Sequence, residues 1–272
     1  MDDDTFWICA TCAVEHAEPV PVCRICDDER QWVPSDGQSW LTLDQLADRR
    51  VTITEFEPDL HGLTVDRKLG IGQTAKLVRT PAGNLLWDPV GYVDDEAVAR
   101  VRALGEVVAI AASHPHMFGV QVEWSRRLGG VPVLVPSADI SWVARPDPAV
   151  QEWTGSHEVA PGLVLSQVGG HFPGSAVVVW SAGATGRGVL LSGDTVYANP
   201  DRRSVSFMRS YPNHLPLSAA VAERIAAHLG QFTFDRIYGN FQNVIDGDAG
   251  AIVQRSAERH AGWARGDFDH LT

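Results

Sequence analysis

The chain has 272 residues, 44% of them hydrophobic, and a formal net charge of −12. That length buries a full α/β core with room for a small appendage. No apolar run reaches the roughly 18 residues that span a bilayer, and the acidic balance excludes a nucleic-acid backbone as partner, which needs a basic face.

The first residues, Met1-Asp2-Asp3-Asp4, are acidic and unlike a signal peptide, and the four cysteines suit metal binding, so the expected compartment is the cytoplasm. Those cysteines form two CxxC knuckles, Cys9-Ala10-Thr11-Cys12 and Cys23-Arg24-Ile25-Cys26, with ten residues between them. Two such knuckles close a tetrahedral four-thiolate site. A segment this short draws much of its folding free energy from the metal. Neither knuckle opens a βαβ pattern, which argues against a redox dithiol.

A Pro/Gly junction at residues 32–37 divides residues 1–35 from a larger domain of residues 36–272. Residues 41–50 have helical spacing, with Leu43, Leu46 and Ala47 on one face and Thr42 at the N-cap. Strands and turns fill residues 51–89. A short amphipathic helix over residues 94–104 then leads to Val107-Val108-Ala109-Ile110-Ala111-Ala112, a buried strand. A helix over 118–128 and a strand over 131–136 follow. Residues 163–168, 176–180 and 189–191 read as strands of a second sheet, and residues 217–229 and 252–263 as helices.

Chemistry gathers at the ends of these strands. His114 and His116 directly follow the buried strand, and at i and i+2 on extended backbone they point to one side. Neutral imidazole is a ligand for zinc and also for iron. Two glycine-containing turns each add a donor: His171 in Gly169-Gly170-His171-Phe172-Pro173-Gly174-Ser175, and Asp194 in Leu190-Leu191-Ser192-Gly193-Asp194-Thr195. The set is three imidazoles and a carboxylate.

The order of these motifs from about residue 72 to 195 resembles the metallo-β-lactamase superfamily. Residues 74–89 match its first hairpin, closed by Asp88, the histidine pair its first ligand motif, and the turns of His171 and Asp194 its third and fourth. The knuckles resemble a rubredoxin-like zinc ribbon. Together these imply an α+β protein, an αββα sandwich carrying a small N-terminal four-cysteine ribbon. The family's first motif usually runs H-x-H-x-D-H, but its last two positions are Phe118 and Gly119 here, and Asn240 stands near the place of a further second-site histidine. The resemblance therefore implies one ion at the histidine centre and one in the ribbon, zinc at both, with iron the alternative occupant of either.

Three imidazoles on one zinc leave a position for water, whose pKa the ion lowers to about 7. The expected function is a mononuclear hydrolase of a small-molecule ester, thioester or lactone. Asp194 would be a fourth ligand or an outer carboxylate, and Tyr197 a donor to a developing oxyanion. Phe118, Tyr211, His214 and Asn240 would meet the substrate. With Phe118 in place of the family's motif Asp, the proton of the attacking water needs another base. Two alternatives stay open: a non-haem iron oxygenase of the persulfide dioxygenase type, using a 2-His-1-carboxylate triad, and a non-catalytic metal-dependent binding protein whose ribbon docks a partner. Self-association is also left open.

Overall fold

The computed structural model describes residues Thr5–Thr272; Met1–Asp4, the acidic start, lie outside the described residues. The chain forms two compact units, Met1–Trp153 and Thr154–Thr272. Among the described residues no helix is long and apolar enough to cross a membrane.

The first unit opens with three short antiparallel strands, β1 (Trp7–Cys9), β2 (Glu15–His16) and β3 (Trp40–Leu41), in the order β2-β1-β3. The second knuckle lies on a one-turn helix, α1 (Arg24–Asp27). The main sheet follows as β4 (Val51–Glu57), β5 (Leu60–Val65), β6 (Ala75–Val78), β7 (Asn84–Trp87), β8 (Val107–Ala111), β9 (Val133–Pro136) and β10 (Val150–Trp153), hydrogen-bonded in reverse chain order. β4 to β7 pair antiparallel and β7 to β10 parallel, the parallel pairs flanking a crossover helix, α2 (Asp95–Ala103), and a second, α3 (Gln121–Leu128). Central β8 is an unbroken apolar run because a parallel strand with neighbours on both sides is covered on both faces. The start of α2 follows from its sequence: the Asp94 carboxylate accepts the Ala97 N–H at 2.7 Å.

The helix expected over residues 41–50 is not formed. Leu41 is paired with Ile8 in the small sheet, and the Thr42 N–H donates to the Gln45 carboxamide at 2.9 Å, leaving a single 3-10 turn at Asp44–Leu46 capped at Leu43. Strand pairing of the first residues removed the length that a helix needs.

The same pairing carries the small sheet past residue 35, where the domain boundary was expected. Its side chains belong to the core of the first unit: Ile8, Cys9, Cys12, Val14 and Ile25 lie in one cluster with Leu63, Leu77, Ile110 and Trp124. Ala13 presses so closely on Gly70 and Gly91 that a Cβ on either would come within 2.5 Å of its own. The Glu15 carboxylate accepts from the Val122 and Glu123 N–H groups at the start of α3, a side-chain cap supplied from 107 residues away. Arg145 bridges Glu15 at 2.7 Å and Glu123 at 3.3 Å, and its guanidinium lies over the Phe6 ring. Burial is the main force on the Glu15 carboxyl, pushing it up to about 7 against the pull of Arg145.

The second unit is a mixed sheet, β11 (Ser156–Ala160), β12 (Leu163–Gln167), β13 (Ala176–Trp180), β14 (Val189–Leu191), β19 (Arg236–Tyr238) and β20 (Val244–Ile245). Between β13 and β14 lies a short turn of helix, α4 (Gly183–Gly186). Between β14 and β19 come two small hairpins, β15 (Tyr197–Ala198) with β16 (Val205–Ser206) and β17 (Met208–Ser210) with β18 (Leu215–Pro216), and then helix α5 (Ala219–Leu229). Helix α6 (Ala249–Arg265) packs on α5, the pair covering the sheet through Ala222, Ile225, Leu229, Ile252 and Val253. Ser218 caps α5 by accepting the Val221 N–H. Both helices are those expected from propensity, with α6 longer by three residues at its start and two at its end.

Candidate metal centre

The buried strand β8 delivers the first two histidines. Beyond its end the Ser113 N–H donates to the Asp88 carboxylate at 2.6 Å, so the Asp that closes the hairpin also ties down the start of the ligand loop. His114 is extended (φ −171°, ψ 171°), but Pro115 opens a 3-10 turn over Pro115–Met117, which the Met117 N–H closes onto the His114 carbonyl at 2.9 Å. The pair is therefore not on continuous extended backbone, as the i, i+2 reading supposed. Proline favours such a turn at its first position because its φ is preset and its missing N–H has no partner to lose there. The two imidazoles end with centroids 5.0 Å apart, nearly perpendicular and buried.

In the second unit, Gly169 and Gly170 take positive φ (72° and 101°) before His171, and a Cβ at Gly170 would strike Ile225 at 2.7 Å. The turn is closed by Ser175, whose carbonyl accepts the Val168 and Gly169 N–H groups and whose hydroxyl accepts that of Phe172. His171 Nδ1 lies 3.2 Å from the Met208 carbonyl. A carbonyl only accepts, so Nδ1 carries the proton and Nε2 keeps the lone pair that a metal needs. Asp194 follows β14 in a tight turn made by Gly193 (φ 53°), with its Oδ2 at 3.9 Å from His171 Nε2. The other imidazoles also have their Nδ1 engaged, His114 by the Ser113 hydroxyl at 2.9 Å and His116 by the Gln31 carboxamide at 3.5 Å.

The ligand atoms of His114, His116, His171 and Asp194, all buried, lie within 4.8 Å of one another. Ligands at about 2.0–2.2 Å from a tetrahedral zinc stand about 3.4 Å apart, and a set of four donors within 4.8 Å is of a size that could hold one ion. Three imidazoles and a carboxylate suit zinc or iron. The four cysteines form a second such group. They are free thiols, with Cys9 and Cys26 sulfurs 3.7 Å apart and those of Cys12 and Cys23 3.9 Å apart. Zinc–sulfur bonds of about 2.3 Å imply edges of about 3.8 Å, which is the spacing present. The Gln38 amide donates to the Cys9 sulfur at 3.3 Å, and the His16 ring nitrogen lies 3.5 Å from that of Cys23. Hydrogen bonds from Cys12, Cys26 and Cys9, in that order, hold the Cys23 thiol far below its ordinary range.

The second-ion positions have a physical explanation. Gly119 has φ +50°, and a Cβ there would sit 2.0 Å from the Pro89 carbonyl oxygen, so its place is spent on a close backbone approach. Gly119→Ala is expected to destabilise by about 2–4 kcal/mol, through overpacking and backbone strain together. Chemical denaturation measures it; a loss below about 1 kcal/mol would mean that the approach is not tight. Phe118, expected to meet substrate, is 1% exposed and belongs to the apolar cluster of the first unit that also holds Met117 and Val120.

The remaining expected residues divide. Tyr197 is half-buried, its ring 4.8 Å from that of Tyr211 and 6.4 Å from that of Phe241. Burial first, and then the Asp194 charge, raise its pKa. Tyr211 directs its hydroxyl to the backbone carbonyls of Asp194 and Ser206, each at 3.2 Å, and so braces the Asp194 turn rather than offering that hydroxyl to a ligand. His214 sits at φ 54° in an exposed turn between β17 and β18. Asn240 is buried just past β19, which runs parallel beside β14 and its Asp194 turn, and its Nδ2 has no hydrogen-bond partner among the described residues. Gln31 and the Met208 carbonyl were invisible in the sequence, being 85 and 37 residues from the rings they touch. The Ser113-His114 dipeptide was a usable signal.

No family profile matches the chain. It is 40% identical over 262 residues to the uncharacterized protein YmaE of Bacillus subtilis strain 168, covering 94% of this chain and 95% of that one. Among solved structures it is similar to the metallo-β-lactamase FIM-1 from Pseudomonas aeruginosa in its mono-zinc form, at 15% identity and a TM-score of 0.57, over 78% of this chain and 96% of that one. It is likewise similar to the metallo-β-lactamase DIM-1, at 14% identity and a TM-score of 0.58, over 77% and 98% of the two chains. Identities this low speak for the fold alone. The chain has the αββα metallo-β-lactamase fold with two mixed sheets and a four-cysteine cluster at its N-terminal end, and it belongs to the same family as YmaE.

Proposed function

We propose that this protein is a mononuclear zinc-dependent hydrolase of a small molecule with an ester, thioester or lactone bond. The observations that carry the reading are the buried set of His114, His116, His171 and Asp194 and, in the loop of the first two, a Gly119 whose close backbone approach leaves no room for a second-ion ligand. The mono-zinc form of FIM-1 is a precedent for one ion on this fold. Zinc held by such a set acidifies water to a pKa of about 7 and so supplies a nucleophile at neutral pH.

The chain's own residues do the rest. The Met208 carbonyl holds the His171 tautomer, and Tyr211 holds the Asp194 turn. Tyr197, kept neutral by burial and by Asp194, is a phenol donor for charge developing on an acyl oxygen. The Asn240 amide is a second donor. The Tyr197 and Phe241 rings give the substrate an aromatic face.

Elemental analysis of protein purified without added metal should give two zinc ions per chain. Turnover of an ester, thioester and lactone panel should be lost on chelation and return with zinc. Iron at the histidine centre with oxygen-dependent turnover, or a fully zinc-loaded protein inert across the panel, would overturn the reading.

A further inference from the structure

Four rings of the second unit run in a row from one histidine of the metal centre toward solvent. The Tyr211 ring lies 6.0 Å from that of His171, the Tyr197 ring 4.8 Å from that of Tyr211, and the Phe241 ring 6.4 Å from that of Tyr197, with neighbours tilted by 46°, 40° and 41°. His171 is buried, the two tyrosines are half-buried, and Phe241 is 37% exposed. The outer end of the row is held by one side chain. In the loop 239–243 after β19, the Asn243 carboxamide accepts the Phe241 N–H at 3.1 Å and donates to the Ala198 carbonyl at 3.2 Å, and the Asn243 carbonyl accepts the Gly239 N–H at 2.9 Å. A Cβ on Gly239 would sit 2.3 Å from Asn243 Oδ1, so the loop closes tightly on this residue. Ala198 follows Tyr197 in β15. Asn243 therefore clasps the loop of Phe241 to the strand of Tyr197.

We propose that this row is a subsite for a flat aromatic group on the acyl side of the substrate, and that Asn243 is the positioning residue that sets Phe241 against Tyr197. The proposal rests on the hydrolase reading above and names the substrate class within it: esters or thioesters of acids that carry an aromatic ring. Aromatic rings attract one another in offset or edge-to-face contact at centroid distances of about 4.5–7 Å, so a tilted row with an exposed end accepts one more ring. A negatively charged substituent is disfavoured there, because the Asp194 carboxylate is close enough to raise the pKa of the Tyr197 phenol after burial has done so. The Tyr211 hydroxyl is spent on the backbone carbonyls of Asp194 and Ser206, which leaves its ring as the inner surface of the row. An acetyl group has no ring to place against these residues.

The test compares methyl phenylacetate with methyl acetate on the full-length protein, since the two share a leaving group and differ only in the ring. The wild type should favour the phenylacetyl ester in kcat/KM, and Phe241→Ala should cut that preference about tenfold, through KM. Asn243→Ala removes both side-chain bonds and should cut it in the same direction. Asn243→Asp keeps the acceptor for the Phe241 N–H and should fall between Asn243→Ala and the wild type. A role in folding alone would lower the melting temperature and leave the preference intact. Phe241→Ala removes an exposed ring, so it reports on the subsite even where Asn243→Ala fails to fold. Binding of phenylacetate and of acetate, read by ligand-observed NMR, measures the subsite without turnover: phenylacetate should bind more tightly, and Phe241→Ala should abolish the difference. A wild type with no preference for the ring, or a preference that survives Phe241→Ala, would overturn the subsite and leave the hydrolase reading standing. A preference lost in Phe241→Ala but untouched in Asn243→Ala would overturn the role of Asn243. No turnover of either ester, with phenylacetate still favoured through Phe241, would sink the hydrolase reading and keep the subsite; neither turnover nor a binding preference would sink both.

Discussion

His171→Ala is expected to abolish turnover and remove one zinc per chain while leaving the protein folded. The imidazole is one of three nitrogen donors in the buried set, and its loss exceeds the roughly 10–100-fold drop in affinity that follows removal of a mere outer-shell partner. The turn that carries it is closed by Ser175 and by the fit of Gly170 against Ile225, neither of which needs the ring. The cost in stability should stay near 1–3 kcal/mol, the usual range for a buried truncation. His116→Ala should behave in the same way. Zinc counting, a thermal melt and the hydrolysis panel check this together. A variant that keeps both zinc ions and its turnover would show that the four residues do not form one site.

Cys23→Ser is expected to act in the opposite sense, destroying stability first. Structural zinc is worth an apparent 10–16 kcal/mol or so in isolated four-ligand modules, against a total stability of about 5–15 kcal/mol for a typical domain. The knuckles share one core with Leu63, Leu77 and Trp124, Ala13 abuts Gly70 and Gly91, and Glu15 caps α3. Damage should therefore spread beyond residues 1–35 to α3 and the main sheet. Hydrogen exchange should show lost protection in α3 and β8, and the melting temperature should fall by ten degrees or more on the scale of about 2–4 °C per kcal/mol for chains of this size. Protection unchanged in α3, with exchange rising only in residues 5–35, would show the ribbon to be an independent module.

Local chemistry made much of the architecture legible in the sequence. The amphipathic run over residues 94–104 announced α2, the hairpin over residues 74–89 appears as β6 and β7 with Asp88 at its end, and the apolar run at 107–112 is central β8. The helix over 41–50 failed because propensity is a weak local preference, and pairing of Leu41 with Ile8 overrode it. The burial of Phe118 was equally beyond the sequence. Adjacency to His116 in the chain says nothing of which way a side chain turns once Pro115 bends the backbone into a 3-10 turn.

The sequence by itself determined the donor atoms: four thiols at knuckle spacing, and three imidazoles with a carboxylate at strand ends and glycine turns. These are properties of contiguous residues, where periodicity, capping and turn chemistry act over a few positions. Only the tertiary structure decided what surrounds those donors. That the ribbon is part of the core of the first unit, that Glu15 caps α3, that Gly119 is spent against Pro89, and that Gln31 meets His116 are contacts between segments 30 to 107 residues apart. Such contacts follow from how a close-packed interior is filled, and packing complementarity has no signature in either partner alone.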